Sequence, residues 1–332
     1  MLLRIAITLV ALALVAPAAA ARGTPSWHHF AVGDGVSGEL PSGWRVVDRR
    51  FTPCIDPREV LAISSFRVGA KPRLPRTGAF AVLEETDSDV DRFPARPRHL
   101  RLDSKPSGLE CCVPLRAPGW IRRFHAGGRG FYAYLFLGPG ASPATRAKLL
   151  TALDRLRVER FPAVRWRRSR SLGKPWAGRL VSGVQLPAFG RHFTTWDPIR
   201  WRSPDRGWRR WGNDRVVRTV LTVVNEFGAR HYQRLVIGDL SRREGGPFLP
   251  KHASHQNGLD VDVYYPRLDF APRPPARVGQ INRRLAQALV RDLVRAGASR
   301  IFVGRHTGLV GPHRIVRILD GHDNHLHVRF AQ

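Results

Sequence analysis

Two stretches near the C-terminus decide the predicted fold of this chain: KHASHQNGLDVDV at residues 251–263 and GHDNHLHVRF at residues 321–330. In the second stretch, polar and apolar residues alternate along HLHVRF, which is typical of a half-buried strand. Such a strand places His325, His327 and Arg329 on one face and the apolar residues between them in the core. The pattern therefore predicts two imidazoles side by side on one strand face, a natural surface for metal binding or proton transfer.

The first stretch repeats this alternation. Asp260 and Asp262 would point to one side of a strand, and Gly258 before them is consistent with a tight turn out of a loop that presents His252 and His255. Histidines and carboxylates in this number suit Zn²⁺, which binds imidazole and carboxylate ligands at about 2.0–2.2 Å. Three protein ligands would leave a fourth position for water, as a catalytic zinc site requires.

Each motif alone has a less specific interpretation. An HxH on a strand is often incidental, and HxxH lacks the Glu of the helical HExxH zinc motif. Asp262 could instead be a structural partner of Arg329. The clustering favours a site, because seven of the thirteen histidines lie between His252 and His327.

The N-terminus has the order of a secretory signal peptide, predicted over residues 1–21. Arg4 precedes an apolar run from Ile5 to Val15, and small residues follow Pro17. The run is shorter than the roughly 20 residues that cross a bilayer core. We therefore expect a secreted protein, periplasmic or associated with the cell wall; retention of the leader as a membrane anchor is the alternative.

The formal net charge is +29. Outside a cell, such a protein collects on anionic polymers. Outside a bacterium these would be anionic wall polymers, bound through the Arg-rich surface, anionic lipid and the carboxylates of peptidoglycan; the charge by itself names no substrate. Basic residues interleaved with tryptophans, as between residues 165 and 218, can bind nucleic acid or sugars; the alternative is that the tryptophans cover a loop-rich domain entry while the arginines face water. The leader argues against a nucleic-acid partner, and we expect none.

Three cysteines are present, Cys54, Cys111 and Cys112. Neighbouring cysteines rarely bridge each other without strain, so a disulfide between Cys54 and one of the other two is expected in an oxidising compartment. A metal site built from the three thiols is the alternative, although the CxxC spacing is absent.

The chain is predicted to be α+β with two domains, because about 310 residues exceed what one core usually organises. An N-terminal α+β domain of unknown role is assigned to residues 22–163 and an Arg/Trp-rich linker to residues 164–180. The C-terminal domain, residues 181–332, is expected to be a small antiparallel sheet with flanking helices and long loops that carry the zinc site.

Three helices are predicted from their caps and apolar spacing. One begins at Ser142, one is capped by Asn213 and ends at Gly228, and one extends from about Asn282 to Ala296.

The segment GDLSRREGGPFLPKHASHQNGLDVDV, residues 238–263, closely resembles the core of the penicillin-insensitive murein endopeptidases, a family of zinc peptidases related to lysostaphin-type and D-Ala-D-Ala-type enzymes. The resemblance continues in Ser171-Leu172-Gly173, in WRRWG at residues 208–212 and in HDNHLHVR at residues 322–329. It covers roughly residues 170–330. The N-terminal half has no counterpart in that family.

The resemblance implies zinc ligands His255, Asp262 and His327. It also implies that His325 is the general base or a transition-state stabiliser. On the same strand face as His327, His325 could take a proton from water activated by the metal. Asp260 or a backbone carbonyl could orient a ligand imidazole.

The resemblance also places His322 and His252 along the catalytic cleft. It implies hydrolysis of the D-alanyl–meso-diaminopimelyl cross-link of peptidoglycan. The family's cysteines in this region are missing, so rigidity here must come from packing. Two alternatives are a D-Ala-D-Ala-type carboxypeptidase with the same zinc chemistry and a non-catalytic basic protein that binds the cell wall.

Overall fold

The computed structural model describes residues 26–47, 51, 54, 56–69, 72–88, 90–106, 115, 117–248 and 252–332. The predicted signal peptide, Cys111 and Cys112 lie outside these residues, whereas Cys54 is disulfide-bonded. The fold is α+β, as predicted. Among the described residues, no helix is both long and apolar enough to span a membrane.

The described residues of the N-terminal region form antiparallel strands and one α-helix. In chain order they are β1 (Trp27–Val32), β2 (Val36–Pro41), β3 (Arg45–Val46), β4 (Arg58–Ser64), β5 (Ala79–Thr86), β6 (Trp120–Ala126), β7 (Arg129–Leu137), α1 (Pro143–Asp154) and β8 (Arg157–Val158). A short 3₁₀ turn at Val90–Arg92 precedes β6.

Five of these strands form one antiparallel sheet in the order β3-β4-β5-β7-β6, and β1-β2-β8 form a second. Helix α1 begins where predicted: the Ser142 hydroxyl accepts a hydrogen bond from the Thr145 amide at 3.1 Å. Its Leu149 and Leu153 enter the core of this region. A second cluster, which includes Phe80 and Phe136, forms on the sheet as well.

The C-terminal region contains the remaining strands and two longer helices. They are β9 (Arg170–Lys174), β10 (Ala177–Val181), β11 (Val184–Gln185), β12 (Phe189–Gly190), β13 (Phe193–Thr195), β14 (Trp211–Gly212), α2 (Asp214–His231), β15 (Leu235–Ile237), β16 (Asp260–Tyr264), α3 (Arg283–Arg295), β17 (Ala298–Val303), β18 (Val316–Ile318) and β19 (His325–Phe330). Short 3₁₀ turns occur at Gly207–Arg209 and Val278–Gln280.

The main sheet of this region has seven strands in the order β12-β13-β15-β16-β19-β17-β18. It is larger than the predicted small sheet, and it is mixed, because β13 pairs with β15 and β17 pairs with β18 in parallel. The prediction of an antiparallel sheet holds for four of its six strand pairs and was wrong for these two, which join strands that are separated along the chain. The predicted linker segment contains the β9–β10 hairpin, whose Arg179 forms a bridge to Gly245.

Helices α2 and α3 cover one face of the seven-stranded sheet and share a single core with its inward-facing valines, leucines and isoleucines. Asn213 caps α2 as predicted, but the helix continues past Gly228 to His231 and ends on Tyr232 in the left-handed conformation. Gly228 is needed for a close approach instead, because a Cβ there would lie 2.4 Å from the His192 side chain. The opposite face of the sheet carries the polar residues.

The two regions contact each other at the edge of this sheet. Arg234 after α2 forms an ion pair with Asp34 at 2.7 Å, and the Thr194 hydroxyl donates a hydrogen bond to the Gly33 carbonyl at 2.6 Å. The Arg58 guanidinium also donates to the Arg191 carbonyl. The N-terminal region therefore packs beside the C-terminal sheet.

Candidate metal centre

The centre is built on the pairing of β16 with β19. These antiparallel strands place Asp262 opposite His327, Asp260 opposite Arg329 and Tyr264 opposite His325. Residues paired across two strands point to the same face. One face of the sheet therefore carries two carboxylates next to two imidazoles, while the alternating valines and leucine enter the core.

A loop before β16 supplies a third imidazole. His255 is fully buried and adopts a φ of 67°, which few residues other than glycine tolerate. Its backbone amide donates to Asp260 Oδ2 at 3.0 Å, and its Nδ1 lies 2.5 Å from the Leu240 carbonyl. Because a carbonyl can only accept, Nδ1 carries the proton and the Nε2 lone pair points away from Leu240.

That lone pair meets two further ligand atoms. His255 Nε2 lies 3.3 Å from Asp262 Oδ1 and 3.2 Å from His327 Nδ1, and the last two atoms are 3.2 Å apart. The three atoms form a nearly equilateral triangle. Ligands at about 2.0–2.2 Å from a tetrahedral zinc would be about 3.3–3.6 Å apart, so this spacing fits a single metal ion.

The hydrogen-bonding state of the three donor atoms also favours binding of a cation between them. Asp262 Oδ1 is buried and, among the described residues, has no hydrogen-bond partner. His327 Nε2 faces Asp260 Oδ2 at 3.6 Å, which leaves its Nδ1 lone pair toward the triangle. Two imidazole lone pairs and a carboxylate oxygen in contact repel one another unless a positive charge lies between them. The donor set therefore fits a metal.

His252 lies beside the triangle and forms a second possible ligand group with His255 and Asp262. Its Nδ1 is 3.9 Å from Asp262 Oδ2, and its Nε2 lies 2.7 Å from Asp239 Oδ2. Asp239 is itself held by Arg209 through two short hydrogen bonds, and both side chains are buried. His252 is thus held at the edge of the site by a buried charged pair.

His325 and His322 form the other side of the site. His325 Nε2 is 4.0 Å from Asp262 Oδ1, and its Nδ1 lies 2.6 Å from Asn324 Oδ1. The His322 ring centroid is 4.8 Å from that of His325 and 6.0 Å from that of His327. The structure therefore brings all six residues predicted for the site into one cluster.

Burial and charge shift the pKa values in this cluster. Burial lowers the pKa of His325 to about 4 and also lowers the pKa of His322. Burial alone would raise the pKa of Asp262, but the charges of His255 and His325 hold it well below 3.8. Asp262 is therefore ionised throughout the physiological range, as a metal ligand must be.

The pKa of His327 moves in the opposite direction. Burial alone would lower it, but the Asp260 and Asp262 carboxylates beside its two ring nitrogens raise it to about 9, so without a metal a proton on His327 supplies the positive charge of the triangle. The cluster thus draws positive charge toward its two carboxylates.

Several residues of the site were not singled out from the sequence. Arg209 lies within WRRWG and Asp239 within GDLSR, so both belong to segments that carry the resemblance, but nothing local indicates that they pair. The Phe248 ring stacks on His255 at 5.7 Å, and Phe302 lies 5.6 Å from His327. These aromatic rings keep the imidazoles in an apolar surrounding.

The alternative prediction, that Asp262 is a structural partner of Arg329, was wrong. Its guanidinium contacts Asp260, at 2.7 Å and 3.1 Å, rather than Asp262. The register explains this difference, because Asp260 lies directly opposite Arg329 while Asp262 faces His327. Asp262 is thereby left to the imidazoles.

Comparison with known proteins gives a partial match. Residues 171–310 match the family model described as penicillin-insensitive murein endopeptidase. A protein of that name from Citrobacter koseri is 29% identical over 96 residues, which cover 29% of this chain and 32% of that protein. Another from Salmonella paratyphi C is 28% identical over 137 residues, 41% of this chain and 44% of that protein. The chain thus spans less than half the length of these relatives, and the matched region contains His255 and Asp262 but ends before His327.

Proposed function

Because residues 171–310 match the penicillin-insensitive murein endopeptidases, we propose that this protein hydrolyses peptidoglycan as a zinc-dependent endopeptidase. The observation that carries the proposal is the triangle of ligand atoms at 3.2–3.3 Å on His255, Asp262 and His327. The triangle includes a residue outside the matched segment, so the geometry supports the proposal independently of the match.

We assign His255, Asp262 and His327 as the zinc ligands, in preference to the group that contains His252. The Nε2 atom of His252 already contacts Asp239, and its Nδ1 is farther from Asp262 than the corresponding nitrogen of His327. The Leu240 carbonyl and Asp260 orient the two ligand imidazoles. Such outer contacts fix the tautomer of a ligand histidine.

When bound, zinc supplies a water of lowered pKa and polarises the scissile carbonyl. The contact of His325 Nδ1 with Asn324 Oδ1 leaves its Nε2 unprotonated on the side of Asp262. His325 can therefore accept a proton at Nε2 and return it to the leaving amine. His322 and His252 line the cleft on either side. The Nδ1 atom of His322 donates to the Asp320 carbonyl and the Nε2 atom of His252 donates to Asp239, so the other nitrogen of each neutral ring can accept a hydrogen bond from the substrate.

The bond that we propose is the D-alanyl–meso-diaminopimelyl cross-link, on the strength of the family resemblance. A D-Ala-D-Ala-type carboxypeptidase would use the same ligand set, and a non-catalytic wall-binding protein would need only the positive charge. The complete ligand triangle favours an enzyme over the second alternative.

We further propose that the protein acts in the periplasm or the cell wall, exported by the predicted leader. In this assignment the N-terminal region, residues 22–163, is a separate domain that positions the substrate, and residues 181–332 are the peptidase domain. Their separate sheets and hydrophobic cores support the division.

We also propose that anionic wall polymers bind to a cavity of about 440 Å³ in the C-terminal region. Among the described residues that line it, four are arginines, Arg165, Arg167, Arg210 and Arg243, and none carries a carboxylate. Arg167 and Arg243 both lie over the Trp211 ring, at 5.7 Å and 5.6 Å. Guanidinium groups held this way can bind phosphate oxygens in pairs.

The decisive experiment compares metal content with cleavage of purified cross-linked muropeptides. We expect near one zinc per chain in the wild type, and loss of both metal and cleavage in His255→Ala, Asp262→Ala and His327→Ala. His252→Ala should keep the metal while cleavage falls. His306→Ala, at an exposed histidine paired with Asp323, is the matched control and should change neither.

The products separate the alternatives. Loss of a single alanine from monomeric muropeptides would identify a carboxypeptidase. If the zinc-loaded wild type leaves cross-linked muropeptides intact, the protein is not an endopeptidase of this cross-link. If zinc is lost in His252→Ala but retained in His327→Ala, the zinc ligands are His252, His255 and Asp262 instead.

A further inference from the structure

A cavity of about 550 Å³ lies where the N-terminal and C-terminal regions meet. We call it the interface cavity. Val32, Asp34 and Arg58 line it from one region, and Trp196 and Arg234 from the other. Its volume falls within the range of about 300–1,000 Å³ that is usual for small-molecule sites.

Three buried polar atoms of this lining have no hydrogen-bond partner in the described part of the chain: Trp196 Nε1, Asp34 Oδ1 and Arg234 Nε. Trp196 is 9% exposed and Asp34 is 5% exposed. A buried polar group left without a partner destabilises the fold. Two donors and one acceptor are thus available to a ligand that both donates and accepts hydrogen bonds.

Three aromatic residues that line the same cavity have a left-handed backbone conformation. Trp201, Tyr232 and Phe270 line it with φ values of 52°, 53° and 56°, and 54%, 55% and 37% of each residue is exposed. A left-handed conformation is costly for a large side chain, and such residues cluster at functional sites. Of the five non-glycine residues with positive φ among the described residues, three line this cavity, His255 lies in the metal centre and Ser182 lies in neither.

The interface cavity and the metal centre lie on the same face of the seven-stranded sheet. Thr194 of the cavity pairs with Val236, which pairs with Tyr264, and Tyr264 pairs with His325. Trp196 packs against the same valine and tyrosine. Three strand spacings separate the ends of this row, roughly 14 Å. An extended peptide of about four residues covers that distance.

We propose that the interface cavity binds an amino-sugar unit of the glycan strand whose peptide is cut at the metal centre. A pyranose ring has an apolar C–H face that packs on aromatic rings, and its hydroxyl and acetamido groups both donate and accept hydrogen bonds. These are the two kinds of contact that the cavity offers. The inference rests on the proposed function, and it gives the N-terminal region its role, because Asp34 and Arg58 supply part of the lining.

The test is calorimetric titration of the full chain with the peptide-free disaccharide N-acetylglucosaminyl-N-acetylmuramic acid. We expect binding to the wild type and at least tenfold weaker binding to Trp201→Gly and to Tyr232→Gly. Glycine removes the ring and relieves the strained φ, so both variants should unfold at the same temperature as the wild type or higher. Trp166→Ala, at an exposed tryptophan outside the cavity, is the matched control and should bind as the wild type does.

A kinetic readout accompanies the titration. On cross-linked muropeptides that carry sugars, Trp201→Gly should raise KM with little change in kcat, whereas cleavage of the same peptides without sugars should be unaffected. Asp262→Ala should still bind the disaccharide, which separates failure of this inference from failure of the proposed chemistry. No binding to the wild type, equal binding to the wild type, Trp201→Gly and Tyr232→Gly, or an equal fall in cleavage of peptides with and without sugars in Trp201→Gly would overturn the assignment.

Discussion

The Asp260 carboxylate contacts several groups of the site at once. It accepts from the His255 amide, forms two hydrogen bonds with Arg329 and faces His327 Nε2 at 3.6 Å. Because it is fully buried, these contacts are not replaced by water. Asp260 therefore holds both the loop and one imidazole of the proposed ligand triangle in place.

Removing this charge should weaken metal binding without removing a ligand. We expect Asp260→Asn to lower the affinity for zinc by about 10–100-fold, the usual effect of losing a partner of a ligand histidine. Competition with a chelator measures the affinity. Thermal unfolding of the metal-free proteins provides the control for a general loss of structure. An unchanged affinity would show that Asp260 only pairs with Arg329.

At the scale of elements, strand β5 carries a buried charge through the middle of the N-terminal sheet. Glu85 is 2% exposed, and Arg129 donates to both of its carboxylate oxygens at 2.8 Å. Burial alone would raise the pKa of Glu85, but the hydrogen bonds from Arg129 and the charge of Arg58 lower it from 4.5 to about 2. The stability that this ion pair gives to the sheet is therefore lost at acid pH.

The sign follows from the lowered pKa. Above about pH 4.5 Glu85 is ionised in the folded and unfolded chains, and its contribution is fully present; between pH 4.5 and about 2 the unfolded chain binds the proton more readily, and the contribution is lost. The shift corresponds to about 3 kcal/mol, at about 1.4 kcal/mol per pKa unit.

Urea unfolding across this pH range measures the effect. We expect the double variant Glu85→Gln/Arg129→Met to lose about 3 kcal/mol less than the wild type on acidification, because it removes the titrating carboxylate together with its buried partner and leaves only the partly exposed Arg58 without that contact. Glu39→Gln, in an exposed ion pair with Arg155, is the control and should follow the wild type. Parallel pH profiles for all three proteins would contradict the prediction.

At the scale of the whole molecule, two sources of attraction for an anionic polymer can be compared. One is the net charge of +29, which acts over the entire surface; the other is the cavity lined by Arg165, Arg167, Arg210 and Arg243, which holds four positive charges close together. Binding of a poly(glycerol phosphate) chain distinguishes the two. We expect Arg165→Gln/Arg167→Gln/Arg243→Gln to bind several-fold more weakly at low salt and to depend less on salt.

A matched triple variant removes the same charge elsewhere. Arg277→Gln/Arg284→Gln/Arg291→Gln changes exposed arginines that do not line this cavity, and it should weaken binding only slightly. Equal losses in the two triple variants would show that total charge, rather than the cavity, attracts the polymer.

The sequence by itself determined the local features of this protein. Alternation predicted the strands at Asp260–Tyr264 and His325–Phe330, and caps predicted the starts of all three α-helices. These features depend on neighbouring residues, so periodicity and side-chain chemistry are sufficient to indicate them. The six candidate site residues came from the same motifs and the resemblance.

Only the tertiary structure decided how these elements meet. The pairing of Asp262 with His327, the parallel pairs of the main sheet and the contact between Arg209 and Asp239 join residues far apart in the chain. Residues of both regions form the interface cavity, and no local sequence pattern in either region predicted it. Packing of a whole core selects such contacts, because no local interaction favours one distant partner over another.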